Sequence, residues 1–269
     1  MERVTHHGRD TAYRVSDRGG DGPTVCFVHG SGGSKDVWKA QARLSDRFPV
    51  VALDLSGHGD SDDIDADGGG GASGSRALAA YADDAVAVAA ETGASVLCGN
   101  SLGGAVALRV ALERDLALDG LVLAGTGAKL AVAEPLREAL ATDFDRAIEL
   151  LHEPDRLFHD APPEHVELSR AGMRDCGRAV TERDFRACHA FDVRDRLDEI
   201  AVPSLAVVGE HDELTPVEYH DYLADRIDDC ERAVIEGAAH LAMLERPTAF
   251  NAALAAFCSR ISREKRTDD

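Results

Sequence analysis

Lysine is nearly missing from this chain of 269 residues: only Lys35, Lys39, Lys129 and Lys265 are present. The 29 basic residues face 49 acidic ones, a net charge of −20. A balance of that sign excludes the basic faces that nucleic acid or an anionic membrane surface would require. No apolar run reaches the length of a membrane span, and the polar opening Met1-Glu2-Arg3-Val4 carries no signal-peptide pattern. The expectation is a soluble, cytoplasmic protein. The six cysteines, Cys26, Cys98, Cys176, Cys188, Cys230 and Cys258, form no C-x-x-C pair. They read as free thiols in a reducing compartment, not as a disulfide framework or zinc site. There is no G-x-x-x-x-G-K-[ST] loop, and the glycines from 99 to 104 lack dinucleotide spacing. No cofactor and no metal are therefore expected.

The acidic excess has a texture of its own. Asp is far commoner than Glu, and the basic residues are mostly Arg. Such chains are typical of proteins working in concentrated salt, where screening makes self-repulsion cheap.

What is present alternates between strand and helix. Continuous apolar runs at residues 24–28, 50–53, 96–98, 121–124, 205–208 and 233–235 fit parallel strands covered on both faces. Residues 2–6 and 11–16 read as an antiparallel hairpin across Gly8. Leu78, Ala82, Ala85, Val86 and Ala89 share one face of a helix over 76–91, and Phe250, Leu254, Phe257 and Ile261 share one near the C-terminus. Residues 62–75, rich in Gly and Asp, read as a mobile surface loop, and the polar tail 262–269 as frayed. From 129 to 191 the strand rhythm stops, and helical segments appear at 134–141, 144–151, 163–176 and 182–190. This reads as a helical cap (129–191) inserted after the sixth strand of a core formed by 1–128 and 192–269. It would cover the carboxyl edge of the sheet, where open α/β sheets bind ligands.

The most informative stretch is Gly99-Asn100-Ser101-Leu102-Gly103, between the strand at 96–98 and a helix over 102–113. A serine between two glycines at a strand-to-helix turn matches the G-x-S-x-G nucleophile elbow. Its hydroxyl becomes nucleophilic only when a base removes the proton and an acid orients that base. His240 follows the last strand in Gly237-Ala238-Ala239-His240. Asp212 follows the preceding one in Gly209-Glu210-His211-Asp212-Glu213, with Glu210 and Glu213 as neighbouring alternatives. After the strand at 121–124, Gly125 and Thr126 offer no carboxylate. The order Ser101, Asp212, His240 is that of α/β-hydrolases. His29-Gly30-Ser31-Gly32-Gly33 follows the first long strand. There the Ser31 and Leu102 N–H groups would face a developing oxyanion, with His29 anchoring the loop.

These blocks, with Asp54-Leu55-Ser56-Gly57-His58-Gly59-Asp60-Ser61-Asp62, Val202-Pro203 and Leu244-Glu245-Arg246-Pro247, resemble the α/β-hydrolase superfamily over nearly the whole length, nearest its small capped serine esterases. The resemblance implies a mostly parallel sheet flanked by helices. It implies Ser101 as nucleophile, His240 as base, Asp212 as orienter and Ser31 and Leu102 as oxyanion donors. It implies a structural, non-catalytic turn around His58. A serine nucleophile argues against the dehalogenases and epoxide hydrolases of the same fold, which attack with aspartate. The leading expectation is hydrolysis of a small-molecule carboxylic ester through an acyl-serine. The alternatives are a carbon–carbon bond or enol-lactone hydrolase with the same triad, since Gly99-Asn100-Ser101 resembles the elbow of the former, and a hydrolase-fold ligand receptor. Arg170, Arg174, Arg178, Arg183 and Arg186 could grip a substrate carboxylate, but at helical spacing on an acidic chain they read as surface ion pairs. Trp38, Phe144, Phe158, Phe185, Phe191, Met173 and Met243 could line an apolar pocket, with core packing the commoner fate of any one of them.

Overall fold

The computed structural model describes residues 1–64 and 74–268. Most of the Gly/Asp-rich stretch at 62–75 lies outside the described residues. Eight strands form one sheet in the order β1-β2-β4-β3-β5-β6-β7-β8. They are β1 Glu2–His6, β2 Arg9–Ser16, β3 Val25–Val28, β4 Val50–Leu53, β5 Val96–Asn100, β6 Gly120–Ala124, β7 Ser204–Gly209 and β8 Cys230–Ile235. The hairpin β1–β2 pairs antiparallel and joins β4 antiparallel; β4 through β8 run parallel.

The buried strands obey the two-residue side-chain period. Cys26, Val28, Val51, Leu53, Leu97, Leu121 and Leu123 face one layer. It is built on α1 Gly74–Thr92 and α2 Leu102–Glu113. Phe27, Val50, Ala52, Val96, Cys98, Val122 and Leu205 face the other. There Phe250, Leu254, Phe257 and Ile261 of α9 Pro247–Asp268 cover them together with Trp38. The helix runs on through the polar tail that had been expected to fray. Among the described residues, no helix is long and apolar enough to cross a membrane.

Between β6 and β7 lie α3 Glu134–Thr142, α4 Phe144–Leu151, α5 Pro163–Cys176 and α6 Arg178–Ala190. Leu136, Leu140, Ile148, Leu151, Phe158 and Met173 form a small core of their own among these helices. The helix expected at 182–190 begins at Arg178, because Gly177 with φ 84° breaks it from α5. The short helices α7 Val217–Arg226 and α8 Ala242–Glu245 follow β7 and β8.

Candidate active site

The chain runs outward from β3 to β4 and then returns to β5 on the other side of β3. The loops after β3 and β5 therefore leave neighbouring strands at the point where strand order reverses, the position favoured for ligands in open α/β sheets. Val28 pairs with Gly99, so the His29–Gly33 loop and Ser101 emerge side by side.

Ser101 sits between β5 and α2 with φ 55° and ψ −116°, a backbone conformation that L residues rarely adopt. Packing on every side enforces it. A Cβ at Gly99 would lie 2.1 Å from the Gly103 carbonyl oxygen, and one at Gly103 would lie 2.2 Å from that of Val28. The Ser101 N–H donates to the Ala124 carbonyl at 3.0 Å, and the Thr126 hydroxyl donates to the Ser101 carbonyl at 2.9 Å. The side chain thus stands clear of the sheet, at the floor of a cavity of about 1110 Å³.

His240 lines the same cavity. Its Nδ1 lies 2.9 Å from Asp212 Oδ2, with the carboxylate fully buried and the imidazole 4% exposed. Asp212 accepts two further backbone bonds on Oδ1, from the Leu214 and Thr215 N–H groups at 2.9 Å each, and the Thr215 hydroxyl donates to Oδ2 at 2.8 Å. Burial pushes this carboxyl up, but His240 and the Thr215 donors outweigh it and hold it below its ordinary range. An ionised acceptor at Nδ1 keeps the proton there and leaves Nε2 as the basic nitrogen. Glu210 and Glu213, the alternative acids, are exposed; Glu210 accepts from the Gly237 N–H at 3.0 Å, and Asp212 is the carboxylate on His240.

The Gly30–Gly33 loop forms the facing wall. His29 fixes it: Nε2 accepts from the Leu55 N–H at 3.1 Å, so Nδ1 carries the proton toward the Gly30 carbonyl at 2.8 Å. Burial and the neighbouring His58 push the His29 pKa down to about 4, in keeping with that neutral form. Among the described residues, no carbonyl accepts from the Ser31 or Leu102 N–H, so both remain available.

Several positioning groups had no clear signal in the sequence. Asn100 Nδ2 donates to the carbonyls of Ala124 and His240, at 3.2 and 3.4 Å. The segment after α4 seats the loops of Asp212 and His240: the Asp155 carbonyl accepts from Glu213 N–H, that of Arg156 from His240 N–H and that of Leu157 from Leu241 N–H. Thr215 three residues beyond a strand-end acid, and Asn100 directly before the serine, were the local hints. Of the aromatic and Met candidates, Phe185 and Met173 line the cavity; Trp38, Phe158, Phe191 and Met243 are core. Arg170, Arg174, Arg178 and Arg186 pair with nearby acids, as expected of a solvated face. Arg183 departs from that expectation: it is buried and bonds Tyr81, Asp63 and the Ser56 carbonyl.

Asp155, His159 and His211 bring three potential ligand atoms within 4.8 Å of one another. The two imidazoles stack 3.6 Å apart with 10° between their planes. Lone pairs of parallel rings run side by side instead of converging, and His159 Nδ1 already bonds Asp155 Oδ1 at 2.5 Å. This is the geometry of a stack, not of a tetrahedral chelate.

The profile of the alpha/beta hydrolase family matches residues 27–253. The chain is 32% identical over 253 residues to a pimeloyl-(acyl-carrier protein) methyl ester esterase of Neisseria meningitidis, covering 85% of this chain and 74% of that one. It is 26% identical over 261 residues to 3-oxoadipate enol-lactonase 2 of Acinetobacter baylyi, covering 90% and 91%. A solved thermophilic esterase superposes with a TM-score of 0.81 at 29% identity, over 97% of each chain. A buried carboxylate on His240, a strained serine facing the same cavity and a match of this extent agree: the chain belongs to the alpha/beta hydrolase family.

Proposed function

We propose that the protein is a serine hydrolase of small-molecule carboxylic esters. Ser101 Oγ attacks the ester carbonyl while His240 Nε2 takes its proton, and Asp212 holds the imidazolium. The Ser31 and Leu102 N–H groups receive the oxyanion, each worth about 2.7–4 kcal/mol in the transition state. The tetrahedral adduct collapses, the alcohol leaves with the proton from His240, and the acyl group stays on Ser101. Water, deprotonated by His240, then attacks the acyl carbon; the carboxylic acid departs and Ser101 regains its proton. The observation that carries this reading is the Asp212–His240 pair opening into the cavity that holds Ser101. No step requires a cofactor or metal.

Residues 129–191 serve as the cap in this reading. They supply Leu130, Val132, Leu136, Met173 and Phe185 to the cavity wall while keeping a core of their own. A mostly apolar wall suits the acyl part of the substrate. The enol-lactonase relative supports a second reading, a lactone as internal ester, since ring opening uses the same acyl-Ser101. The six unpaired cysteines support a reducing, cytoplasmic setting, and the charge of −20 with four lysines supports work in concentrated salt.

A fluorophosphonate probe with hydrolysis of a short nitrophenyl ester tests the site. Ser101 takes the label, and Ser101→Ala loses both label and turnover while keeping its fold. Hydrolysis that persists in Ser101→Ala overturns the reading.

A further inference from the structure

A second charged cluster lies under the cavity, away from the triad. Asp184, on α6, is fully buried. Its Oδ1 accepts from the Tyr81 hydroxyl of α1 at 2.6 Å. Its Oδ2 meets His58 Nε2 at 2.8 Å and accepts from the Gly32 N–H at 3.2 Å. His58 is also fully buried, and its Nδ1 faces the Ser56 carbonyl at 3.2 Å. With acceptors at both ring nitrogens, both must carry protons, so the pair is an imidazolium and a carboxylate. Burial opposes that charge on His58, yet the Asp184 carboxylate outweighs it and holds the His58 pKa well above its ordinary value.

Gly32 lies directly after Ser31 in the loop. Its φ of +65° is open to glycine, and a Cβ there would sit 3.1 Å from Met173 of α5 and 3.5 Å from Thr181 of α6. Cys188 Sγ of α6 lies 3.8 Å from Ser31 Oγ. The two helices therefore press on this loop at several points, and Asp184 supplies the directional bond.

We infer that Asp184 is a positioning residue for the oxyanion hole: held by His58 and Tyr81, it fixes the Gly32 N–H and so the peptide that follows Ser31. The Gly32 N–H and the Ser31 carbonyl share one rigid plane. An acceptor that fixes this plane restricts the Ser31 backbone whose own N–H points into the site. Because that N–H meets full negative charge only in the transition state, its misalignment lowers kcat and leaves substrate binding nearly alone. The inference rests on the reading of Ser31 as an oxyanion donor.

The test compares two neighbours on α6. Asp184→Asn loses the anionic hold on Gly32. Arg183→Met loses the bonds to Tyr81, Asp63 and Ser56, the first of them to the hydroxyl on Asp184 Oδ1, but keeps the carboxylate that accepts from the Gly32 N–H. For an ester turned over by the wild type, Asp184→Asn should lower kcat about 10–100-fold with KM nearly constant, while Arg183→Met changes kcat by less than about twofold. A trifluoromethyl ketone, which forms a tetrahedral adduct, should lose affinity in Asp184→Asn in step with kcat. Should Asp184→Asn fail to fold, the His58→Gln/Asp184→Asn pair, which carries no buried charge, provides the same comparison. On the unmodified enzyme, the Gly32 amide should exchange with deuterium as slowly as core amides; exchange at the rate of an open loop overturns the inference. Equal losses of kcat in the two α6 variants overturn it too, since they assign Asp184 only a share in stability. Turnover persisting in Ser101→Ala removes the reading of the site itself; Ser101-dependent turnover with unchanged kcat in Asp184→Asn removes this inference alone.

Discussion

His240–Asp212 and His58–Asp184 are both buried imidazole–carboxylate pairs, 2.9 and 2.8 Å apart. Their surroundings separate them. Asp212 takes the Nδ1 of His240, and the ring edge opens into the cavity. His58 has Asp184 at Nε2 and the Ser56 carbonyl at Nδ1, and Asp184 is shared with Tyr81 and Gly32. A carboxylate beside a histidine does not make a base. A ring nitrogen without a protein acceptor does, and where both nitrogens have one the same pair becomes a fixed strut.

Replacing each histidine separates the two roles most strongly. His240→Ala removes the base, and kcat for ester hydrolysis should fall by about 10⁶, with Asp212→Asn costing about 10⁴ through the wrong tautomer. His240→Ala should melt near the wild type, and Asp212→Asn, which gives up a buried carboxylate held by its donors, somewhat below it. His58→Gln should do the opposite. It leaves Asp184 buried without its cation, a loss of about 3–5 kcal/mol that lowers Tm by roughly 10 °C, while the folded enzyme keeps turning over, its kcat lowered no further than in Asp184→Asn. Steady-state rates with melting curves on the three variants check this. An inactive His58→Gln that melts like the wild type would erase the distinction.

The pH dependence of stability sharpens it. The His58 pKa is raised on folding, so its contribution is fully present below about 6.5, the unfolded value, and declines as pH rises through the folded one. Burial raises the Asp184 carboxyl, but His58, Tyr81 and Gly32 hold it lower still, so its contribution is present above about 3.9 and is lost as pH falls through the folded value. The Tm gap between wild type and His58→Gln should therefore be widest between about pH 4 and 6.5 and narrow on the alkaline side. A gap that stays flat up to pH 10 would mean that His58 does not carry this charge.

The two pairs also differ in how far the chain announced them. The placement of Ser101, Asp212 and His240 after strand ends was legible: an apolar run followed by a glycine-rich turn marks the carboxyl edge, and strand order brings the ends together. His58 stood in a recognised turn, and its partner could not be read. Asp184 lies on a mostly polar helix among Arg183, Glu182 and Arg186, where local pattern says solvent. Its burial follows from how α6 lies against α1 and the β3 loop, a contact between residues far apart in sequence. Arg183 was misread as a surface residue for the same reason. The start of α6 was missed because Arg178 to Thr181 offer no apolar period, and Gly177 reads as a stop until its φ of 84° shows the chain turning there.

Added salt should have the smallest effect and act on the solvated surface, not on the buried pair. At 0.1 M the screening length is about 10 Å, and at 1 M about 3 Å. Exposed pairs such as Arg174–Asp145 and Arg186–Glu182 weaken, but each is worth only about 0–1 kcal/mol. Against that loss stands relief of repulsion among 49 acidic residues balanced by only 29 basic ones. Relief should win, so Tm rises as KCl increases, and a falling Tm would contradict the high-salt reading. The His58–Asp184 pair has no exposed surface through which ions can screen it. The Tm deficit of His58→Gln should therefore be the same in 0.1 M and 2 M KCl, with both curves rising in parallel. A deficit that closes in concentrated salt would show that solvent reaches the pair, and the contrast between an open base and a sealed strut would no longer hold.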